Sequence, residues 1–380
     1  MKTAIHIALQ SLRANDAIGT DVLQMRACLL EAGYSTDIFA SGFDACFDDI
    51  ARPVNTTEPA RWSSSDILLY HHGTGWPQGE ALLDAASHCR LVIRYHNVTP
   101  PDYFLGISDA HVDACREGQE LTKRLANLPH ATFWAASEFN AEELISYGAP
   151  PECCSVLPPF HNIEALAAEP FDYSIPAEFK ARGPLILFVG GFKPNKGHER
   201  AIHLFARYYF ERNSAARLVF AGTMSPAFEP YTTALRSLIR ELQLEHAVLF
   251  AASASPSRLR TLYLLADLFL CVSDHEGFCV PLVEAMYFRV PILAWGTTAV
   301  AQTVGRCGLV WEEFDEDVFL ESIQRILDNP QLASHCRDLG RKRYRSEFDT
   351  AVLKRRLLGL AEDVIASPQT PVARHALAPG

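Results

Sequence analysis

Short apolar runs alternate with longer amphipathic stretches along this chain, and this alternation restricts its fold more than any other feature. Runs such as "TAIHIAL", "DILLYHH" and "LVIRYHN" are each followed by a stretch with helical spacing of apolar residues. The alternation restarts at "PLILFVGG" and continues through "ARLVFAGT", "AVLFAAS", "DLFLCVS", "VPILAWG" and "GLVW". Continuously apolar strands are typical of parallel sheets covered by helices on both faces. The sequence therefore predicts an α/β protein with doubly wound, Rossmann-like sheets.

A mixed, proline-containing segment interrupts the alternation at about residues 158–182. We therefore predict two domains, because a chain of 380 residues is also long enough to fill two cores. The first is expected to span residues 1–175 and the second residues 176–356. A last helix at about 357–372 is expected to pack back onto the first domain. Residues 373–380 are predicted to form a disordered tail.

Composition excludes several classes of protein. A net charge of -11 argues against nonspecific binding to nucleic acid, which depends on Lys and Arg neutralising phosphates. The ten cysteines show neither CxxC pairs nor the spacing of a zinc site, so neither a disulfide framework nor a zinc site is expected. The first residues contain no signal-peptide pattern, and no apolar run is long enough to span a membrane. These features favour a cytoplasmic location.

The loop after "DLFLCVS" carries the most unusual chemistry. Ligands of open parallel sheets bind at the carboxyl ends of the strands, so residues after each run are candidates. Glu276 and Gly277 follow this run, and Gly277 would let the backbone turn tightly. Pro281 and Glu284 come where a helix should begin. Backbone amides from Gly277 to Val280 could bind a phosphate at the positive helix end, while the carboxylates bind hydroxyls of a nucleotide sugar. Alternatively, Glu276 caps the helix and Glu284 lies on the surface.

A glycine-rich loop follows the run "PLILFVGG". Gly190, Gly191 and Gly197 would allow close approach of a ligand to the backbone, and Lys193 and Lys196 could meet negative charge. The loop lacks the GK[ST] ending of a P-loop. In the alternative interpretation, Lys193 is an exposed lysine without a role.

Several candidates follow apolar runs of the first domain. They are Gly19, Thr20, His71, His72, Gly73 and His96. Because the carboxyl ends of strands line the ligand side of such a sheet, these residues are expected to line a cleft between the domains. A lone histidine is more often structural, and Gly19 with Thr20 could also form a simple turn.

The stretch "RKRYRSEFDTAVLKRR", residues 341–356, is strongly basic. It contains seven basic and two acidic residues in an acidic protein. A solvated helix face is the first interpretation. The alternative is attraction to anionic lipid headgroups at the cytoplasmic face of the inner membrane, at about 1 kcal/mol per well-placed basic residue.

The segment "HEGFCVPLVEAM" resembles the glutamate-x7-glutamate motif of the retaining glycosyltransferases with the GT-B fold, known as group 1 or family 4. The resemblance extends through "FVGGFKPNKGHERAIHLF", "ARLVFAGT", "LRTLYLLADLFLCVS" and "VPILAWG". It implies that Glu284 holds the ribose hydroxyls and that Glu276 contacts hydroxyls of the donor sugar. It also implies that amides of the intervening residues approach the donor: Gly277, Phe278, Cys279 and Val280.

The resemblance assigns roles in the other loops too. It implies that Lys196, beside Gly190, contacts the donor diphosphate, and that an arginine should stand at the position of Gly191. We expect Lys193 to replace that arginine. In this family a histidine matching His96 touches the donor sugar through its backbone or ring, and a glycine-bearing loop matching Gly19 and Thr20 lies near the diphosphate and acceptor.

The resemblance implies a hexosyltransferase with two Rossmann-like domains facing each other across a cleft. It would move a hexose, with mannose favoured, from a GDP- or UDP-sugar to a glycan or lipid-linked acceptor, as in bacterial polysaccharide synthesis. The anomeric configuration would be retained by a same-face route, with His96, Glu276 and Lys196 as catalytic residues. The sequence shows no Asp-x-Asp on a suitable strand end. Neither a metal nor a cofactor is therefore expected.

Two other functions stay open at this point. A sugar-nucleotide epimerase of the same fold would use similar nucleotide contacts without an acceptor. A non-catalytic relative would bind the donor or a partner protein, and the missing arginine at Gly191 is the feature that suggests it.

Overall fold

The computed structural model describes residues 3–14, 16–175 and 183–367. In these residues the chain forms two compact units, each continuous in space but not in sequence. The first unit comprises the described residues of the ranges 3–101, 110–161 and 348–367. The second unit comprises residues 102–109, 162–175 and 183–347. Compared with the predicted domains, residues 162–175 therefore lie in the second unit and residues 348–356 in the first. The predicted tail at 373–380 lies outside the described residues.

The first unit contains a seven-stranded parallel sheet in the order β3-β2-β1-β4-β5-β6-β7. Its strands are β1 (Ala4–Leu12), β2 (Ser35–Phe43), β3 (Ala51–Pro53), β4 (Ile67–His72), β5 (Arg90–Tyr95), β6 (Thr132–Ala135) and β7 (Cys154–Val156). Strand β4 is buried along its whole length, as expected for a strand covered on both faces. The edge strand β3 was not predicted, because it has three residues, two of them exposed.

The second unit contains a six-stranded parallel sheet in the order β10-β9-β8-β11-β12-β13. Its strands are β8 (Leu185–Val189), β9 (Arg217–Gly222), β10 (Val248–Ala252), β11 (Leu268–Cys271), β12 (Ile292–Trp295) and β13 (Leu309–Trp311). Chain order reverses between β8 and β11, which lie side by side in the middle of the sheet. Ligands of doubly wound sheets bind at the carboxyl ends of strands at such a reversal.

The α-helices of the described residues cover these sheets. In chain order they are α1 (Ala17–Glu31), α2 (Pro77–Ala85), α3 (Asp109–Ala126), α4 (Glu138–Ser146), α5 (Ile163–Ala168), α6 (His198–Glu211), α7 (Glu229–Glu241), α8 (Pro256–Leu265), α9 (Val280–Tyr287), α10 (Val300–Val304), α11 (Glu316–Asp328), α12 (Pro330–Arg343) and α13 (Thr350–Ala366). Among the described residues, no helix combines the length and apolarity needed to cross a membrane.

The last helix, α13, belongs to the core of the first unit. Leu353, Leu357, Ala361 and Val364 recur at helical spacing and are buried with apolar residues of β1, β2 and α1. The helix begins at Thr350, seven residues before the predicted start at about residue 357. Its apolar stripe explains why the chain returns to the first sheet after completing the second.

Candidate functional site

The loop between β11 and α9 presents the two glutamates singled out in the sequence. Cys279 precedes α9 and has left-handed backbone dihedral angles, with φ 72° and ψ 74°. Gly277 was predicted to make this turn, but it is not among the glycines with positive φ. The strained turn therefore falls on a cysteine, at a conformation that non-glycine residues rarely adopt. Pro281 is the second residue of α9, where its missing N–H leaves no helical hydrogen bond unmade.

An ion pair joins this loop to the glycine-rich loop after β8. Lys196 Nζ donates hydrogen bonds to both carboxylate oxygens of Glu276, each at 2.7 Å. Lys196 ends a short 3₁₀ turn, and Gly197 follows it with φ 75°. A Cβ atom on Gly197 would lie 2.1 Å from the carbonyl oxygen of Val272. Glycine is therefore required at this position to bring the lysine against the end of β11.

Neighbouring hydroxyls fix the position of Glu276. Ser273 Oγ donates to Glu276 Oε1 at 2.8 Å. Thr298 Oγ1 accepts a hydrogen bond from the backbone N–H of Glu276 and donates one to its carbonyl oxygen, both at 2.9 Å. Thr298 thus holds the backbone of Glu276, and Ser273 holds its side chain. These contacts restrict the Glu276 carboxylate to a position beside Lys196.

The ion pair is charged. Burial alone would lower the pKa of Lys196, but the adjacent Glu276 carboxylate outweighs this effect, so the pKa is raised. Lys196 therefore stays protonated at neutral pH. The pair concentrates one positive and one negative charge at the carboxyl ends of β8 and β11, in a largely buried place where charges act strongly.

Glu284 lies one helical turn inside α9 and is buried, with 9% of its surface exposed. The hydroxyl of Tyr263 in α8 donates to Glu284 Oε2 at 2.5 Å. Burial raises the pKa of the Glu284 carboxyl, and the hydrogen bond from Tyr263 opposes this shift. Because Tyr263 engages one carboxylate oxygen, Oε1 is the atom placed to accept hydrogen bonds from a ligand.

Two further side chains tie the loops together. Asn195 Nδ2 donates to the carbonyl oxygen of His275 at 3.0 Å. Arg200 donates to the carbonyl oxygen of Val272 at 2.9 Å and to Asp274 Oδ1 at 2.8 Å. These bonds hold the loop after β11 against the start of α6, so the position of Glu276 is set from both sides.

The glycine-rich loop is open at its first residues. A Cβ on Gly190 would make only ordinary contacts of 3.6 Å or more, and one on Gly191 would lie 3.3 Å from Thr223 Oγ1. Lys193 is exposed, at the start of the 3₁₀ turn. The contact between these residues and a diphosphate stays a prediction.

In the first unit, His71 and His96 lie side by side. His71 Nδ1 and His96 Nε2 are 2.9 Å apart at hydrogen-bond distance, and the rings stack. Asp21 Oδ2 is 3.7 Å from His96 Nε2 and accepts a hydrogen bond from Arg94 Nε at 3.0 Å. Burial first, and Arg94 second, lower the pKa of both histidines well below the usual value. Both imidazoles are therefore neutral at physiological pH.

His72 lies apart from this cluster, because consecutive residues of a strand point to opposite faces of the sheet. Its Nε2 is 2.7 Å from Thr122 Oγ1, and its ring stacks on Tyr95. Burial lowers its pKa to about 3. The structure thus brings together His71, His96 and Gly73, whose added Cβ would lie 3.5 Å from His96 Cβ, and it separates them from His72.

Gly19 and Thr20 lie in the first turn of α1, although a loop was predicted there. The Asp16 side chain caps this helix and accepts a hydrogen bond from the Gly19 N–H at 3.0 Å. A Cβ on Gly19 would lie 2.6 Å from the carbonyl oxygen of Arg13. Close packing of the chain against this turn explains the glycine. An Asp cap followed directly by helix is the signal that marks this boundary.

Asp21, His71 and His96 include the ligand types of a metal site, and their candidate donor atoms lie within 4.8 Å of one another. However, Arg94 already donates to the Asp21 oxygen that faces His96. The two imidazole nitrogens that face each other are also at hydrogen-bond distance. We therefore interpret these residues as a hydrogen-bonded cluster.

Several residues of these sites were not identified from the sequence: Asp21, Arg94, Tyr263, Ser273 and Thr298. Asp21 and Arg94 are fully buried and paired with each other. The arginine interrupts an otherwise apolar strand, "LVIRYHN", and this interruption was the available signal, because a buried arginine requires a partner. The other three carry hydroxyls in ordinary helical or loop contexts, and no local pattern marks them.

Part of this chain is similar to a known protein family. Residues 173–343 match the family model described as "Glycosyl transferases group 1". A D-inositol 3-phosphate glycosyltransferase of Acidothermus cellulolyticus is 28% identical over 248 residues, covering 62% of this chain and 54% of the relative. An MMP alpha-(1->4)-mannosyltransferase of Mycolicibacterium hassiacum is 26% identical over 250 residues, covering 65% of this chain and 57% of the relative. The chain thus aligns with little more than half of either relative.

The fold is also found in solved structures. Sucrose-phosphate synthase from Thermosynechococcus elongatus superposes with a TM-score of 0.77 at 18% identity, covering 96% of this chain and all of that chain. The predicted family resemblance and fold class are confirmed. Over residues 173–343 the chain is similar to the glycosyl transferases of group 1, and it has the two-domain GT-B fold.

Proposed function

We propose that this chain is a metal-independent, retaining hexosyltransferase that uses a nucleoside diphosphate sugar. The observation that carries the proposal is the arrangement after β8 and β11: an ionised Lys196–Glu276 pair beside a second carboxylate, Glu284, with one oxygen held by Tyr263. A diphosphate needs positive charge and amides, and a ribose or hexose needs acceptors for its hydroxyls. This arrangement offers both in the segments that follow β8 and β11.

Glu284 would hold the ribose. Its Oε2 is occupied by Tyr263, so Oε1 accepts hydrogen bonds from the ribose hydroxyls. The amides of Gly277, Cys279 and Val280, at the positive end of α9, approach the diphosphate. The group 1 match covers all of these residues.

Lys196 would stabilise the leaving group. Negative charge on the diphosphate grows as the glycosidic bond breaks, so a fixed ammonium group stabilises the transition state more than the ground state. Glu276 holds Lys196 in place before the donor arrives and contacts hydroxyls of the donor sugar. Exposed Lys193 supplies the second positive charge, in place of the arginine expected at Gly191.

The first unit would contribute His96 and the acceptor residues. Burial first, and Arg94 second, keep His96 neutral by lowering its pKa, so His96 acts through hydrogen bonds or its backbone on the donor sugar. Around it, His71, Gly73, Gly19 and Thr20 are proposed to contact the acceptor. Buried His72, bonded to Thr122, takes a structural role in this proposal.

The proposed reaction retains the anomeric configuration. The departing phosphate takes the proton of the acceptor hydroxyl while the acceptor attacks from the same face, without a covalent intermediate. The protein then contributes orientation and stabilisation of the phosphate charge. A mannosyl donor, as GDP- or UDP-mannose, is favoured by the name of the Mycolicibacterium hassiacum relative. The acceptor is a glycan or lipid-linked saccharide, and the protein acts in the cytoplasm, at the membrane face when the acceptor is lipid-linked.

A two-step experiment tests this function. A thermal-shift panel of GDP-, UDP- and ADP-sugars identifies the donor, because a ligand at about 100 times its Kd stabilises by about 2.7 kcal/mol. Incubation of that donor without an acceptor should give at most slow hydrolysis, whereas conversion to an epimer would show an epimerase. With an acceptor extract, proton NMR of the first product from an α-linked donor should show an α linkage. A β linkage would contradict retention, and binding without any transfer would indicate a non-catalytic relative.

A further inference from the structure

A basic groove lies on the second unit, outside the site described above. It has a volume of about 800 Å³. Its charged lining residues are Arg289, Arg341, Lys342, Arg345 and Asp338. Four cations and one carboxylate therefore face one open space in a chain whose net charge is -11.

Arg289 occupies a position that normally favours glycine. It follows α9 with φ 60°, in the left-handed region. Its N–H donates to the carbonyl oxygen of Met286, and the N–H of Val290 donates to that of Ala285. These two bonds form a Schellman motif, whose left-handed residue is usually glycine because a side chain is strained there. An arginine at this position is costly for the fold, and it directs a guanidinium group into the groove.

The cations of the groove differ in how strongly neighbouring groups of the protein hold them. The Arg341 guanidinium lies 4.3 Å from the centre of the Tyr287 ring and donates to the Tyr287 carbonyl oxygen. Asp338 accepts a hydrogen bond from Arg289 at 2.6 Å. Within the described ranges, Lys342 and Arg345 make no ion pair, and both are exposed. The groove therefore keeps a net positive charge after its internal pair is counted.

The structure also divides the basic stretch 341–356. Arg343 is turned away and donates to the carbonyl oxygens of Thr303 and Gln302. Lys354 pairs with Glu31 in the first unit. The stretch is therefore not one uniform basic face. Its first part joins the sequence-distant Arg289 in the groove, and its last part belongs to α13.

We propose that this groove binds the phosphates of an anionic phospholipid surface. Arginine presents several N–H donors suited to phosphate oxygens, and exposed lysine adds attraction to a negative bilayer surface. The groove lies at the C-terminal end of α9, and the loop that carries Glu276 lies at its N-terminal end, about 12 Å away along an eight-residue helix. Glu284 lies between them on α9 but does not line the groove. Phospholipid and donor would therefore contact different residues. Phospholipid binding would bring a transferase to a lipid-linked acceptor, and only this biological role rests on the proposed function.

Co-sedimentation of the full chain with vesicles tests the proposal. We expect binding to phosphatidylglycerol-containing vesicles, loss of binding with added salt, and no binding to pure phosphatidylcholine vesicles. Lys342→Gln/Arg345→Gln should weaken binding by about 25-fold, since each basic residue near the surface contributes about fivefold. The charge-matched variant Arg355→Gln/Arg356→Gln, from the last part of the same basic stretch, should bind like the parent.

Arg289→Gly separates binding from folding. Glycine relieves the left-handed strain, so this variant should melt no lower than the parent while binding vesicles about fivefold more weakly. Parent-like vesicle binding by both groove variants would overturn the proposal, as would failure of the parent to bind anionic vesicles. Binding of glycerol phosphate by a parent protein that does not bind vesicles would indicate a site for free phosphate compounds. This result would also reject the proposal. None of these readings depends on turnover, so an inactive protein that binds vesicles would contradict only the proposed function.

Discussion

The Lys196–Glu276 pair of the second unit and the histidine cluster of the first unit differ in charge, although both are largely buried. Lys196 stays protonated although it is largely buried, because the adjacent Glu276 carboxylate outweighs the effect of burial on its pKa. His71 and His96 are equally buried, but burial and Arg94 keep them neutral. The comparison indicates a division of labour: one unit is built to meet the charge of a diphosphate, and the other to form hydrogen bonds without adding charge.

The largest expected effect is on turnover, and it tests the charged side of this comparison. Lys196→Met should lower kcat by roughly 10²–10³-fold, the range found when one fixed donor is removed from a developing negative charge. It should also lower the melting temperature, because it leaves the Glu276 carboxylate unpaired. Steady-state kinetics and thermal melts check both effects.

A double variant separates these two effects. Lys196→Met/Glu276→Gln removes both charges, so it should recover thermal stability without recovering activity. Lys193→Met should also lower turnover, because Lys193 is proposed to replace the missing arginine, but it should leave the melting temperature nearly unchanged because Lys193 is exposed. Full activity of Lys196→Met would place the diphosphate elsewhere, and full activity of Lys193→Met would reject the replacement of the arginine.

The second expected effect is on donor affinity. Glu284→Gln should weaken nucleotide binding by about 1 to 3 kcal/mol, or about fivefold to 150-fold, because a charged acceptor for the ribose hydroxyls is lost. Tyr263→Phe keeps the carboxylate and should have a smaller effect. Calorimetric titration with the identified nucleotide measures both, and equal affinities for all three proteins would reject the ribose assignment.

The third effect concerns pH and the neutral side of the comparison. Burial lowers the pKa of His72 to about 3, so between pH 6.5 and 3 the unfolded chain binds a proton that the folded chain does not. The stabilisation from neutral His72 is therefore complete above pH 6.5 and falls by about 1.4 kcal/mol per unit as the pH drops. His72→Phe should reduce the slope of unfolding free energy against pH in this range. Replacing the exposed His203 by phenylalanine is the control. If both variants show the same slope of unfolding free energy against pH, the lowered pKa of His72 is contradicted.

The smallest expected effect is none. Activity should be unchanged after EDTA treatment, because Lys196 and helix amides supply the charge that a metal would otherwise provide. A loss of activity that manganese or zinc restores would contradict metal independence.

The sequence predicted the strands far better than the site. Continuously apolar strands such as β4 and β11 can be recognised from the sequence, because burial on both faces requires an unbroken apolar run. The Lys196–Glu276 pair was not predicted as a pair, since its members are 80 residues apart and meet only when two strands lie side by side. Asp21 was missed for the same reason, because its partner Arg94 is 73 residues away.

The turn before α9 shows a different limit of sequence reasoning. Glycine is the usual residue for a left-handed turn, so Gly277 was expected to make it. The structure places the left-handed conformation two residues later, at Cys279. Tertiary contacts such as the Thr298 hydrogen bonds to Glu276 fix the loop and decide which residue carries the strain.

Hydrogen–deuterium exchange of the full chain, with and without a saturating nucleoside diphosphate, tests the division of labour most directly. The account predicts that bound nucleotide slows exchange in peptides covering residues 190–197 and 273–287 of the second unit. The same peptides of the Glu284→Gln variant should show weaker protection at equal nucleotide concentration. Protection confined to peptides covering residues 67–73 and 90–97 of the first unit would contradict the account, because the neutral cluster would then hold the charged ligand.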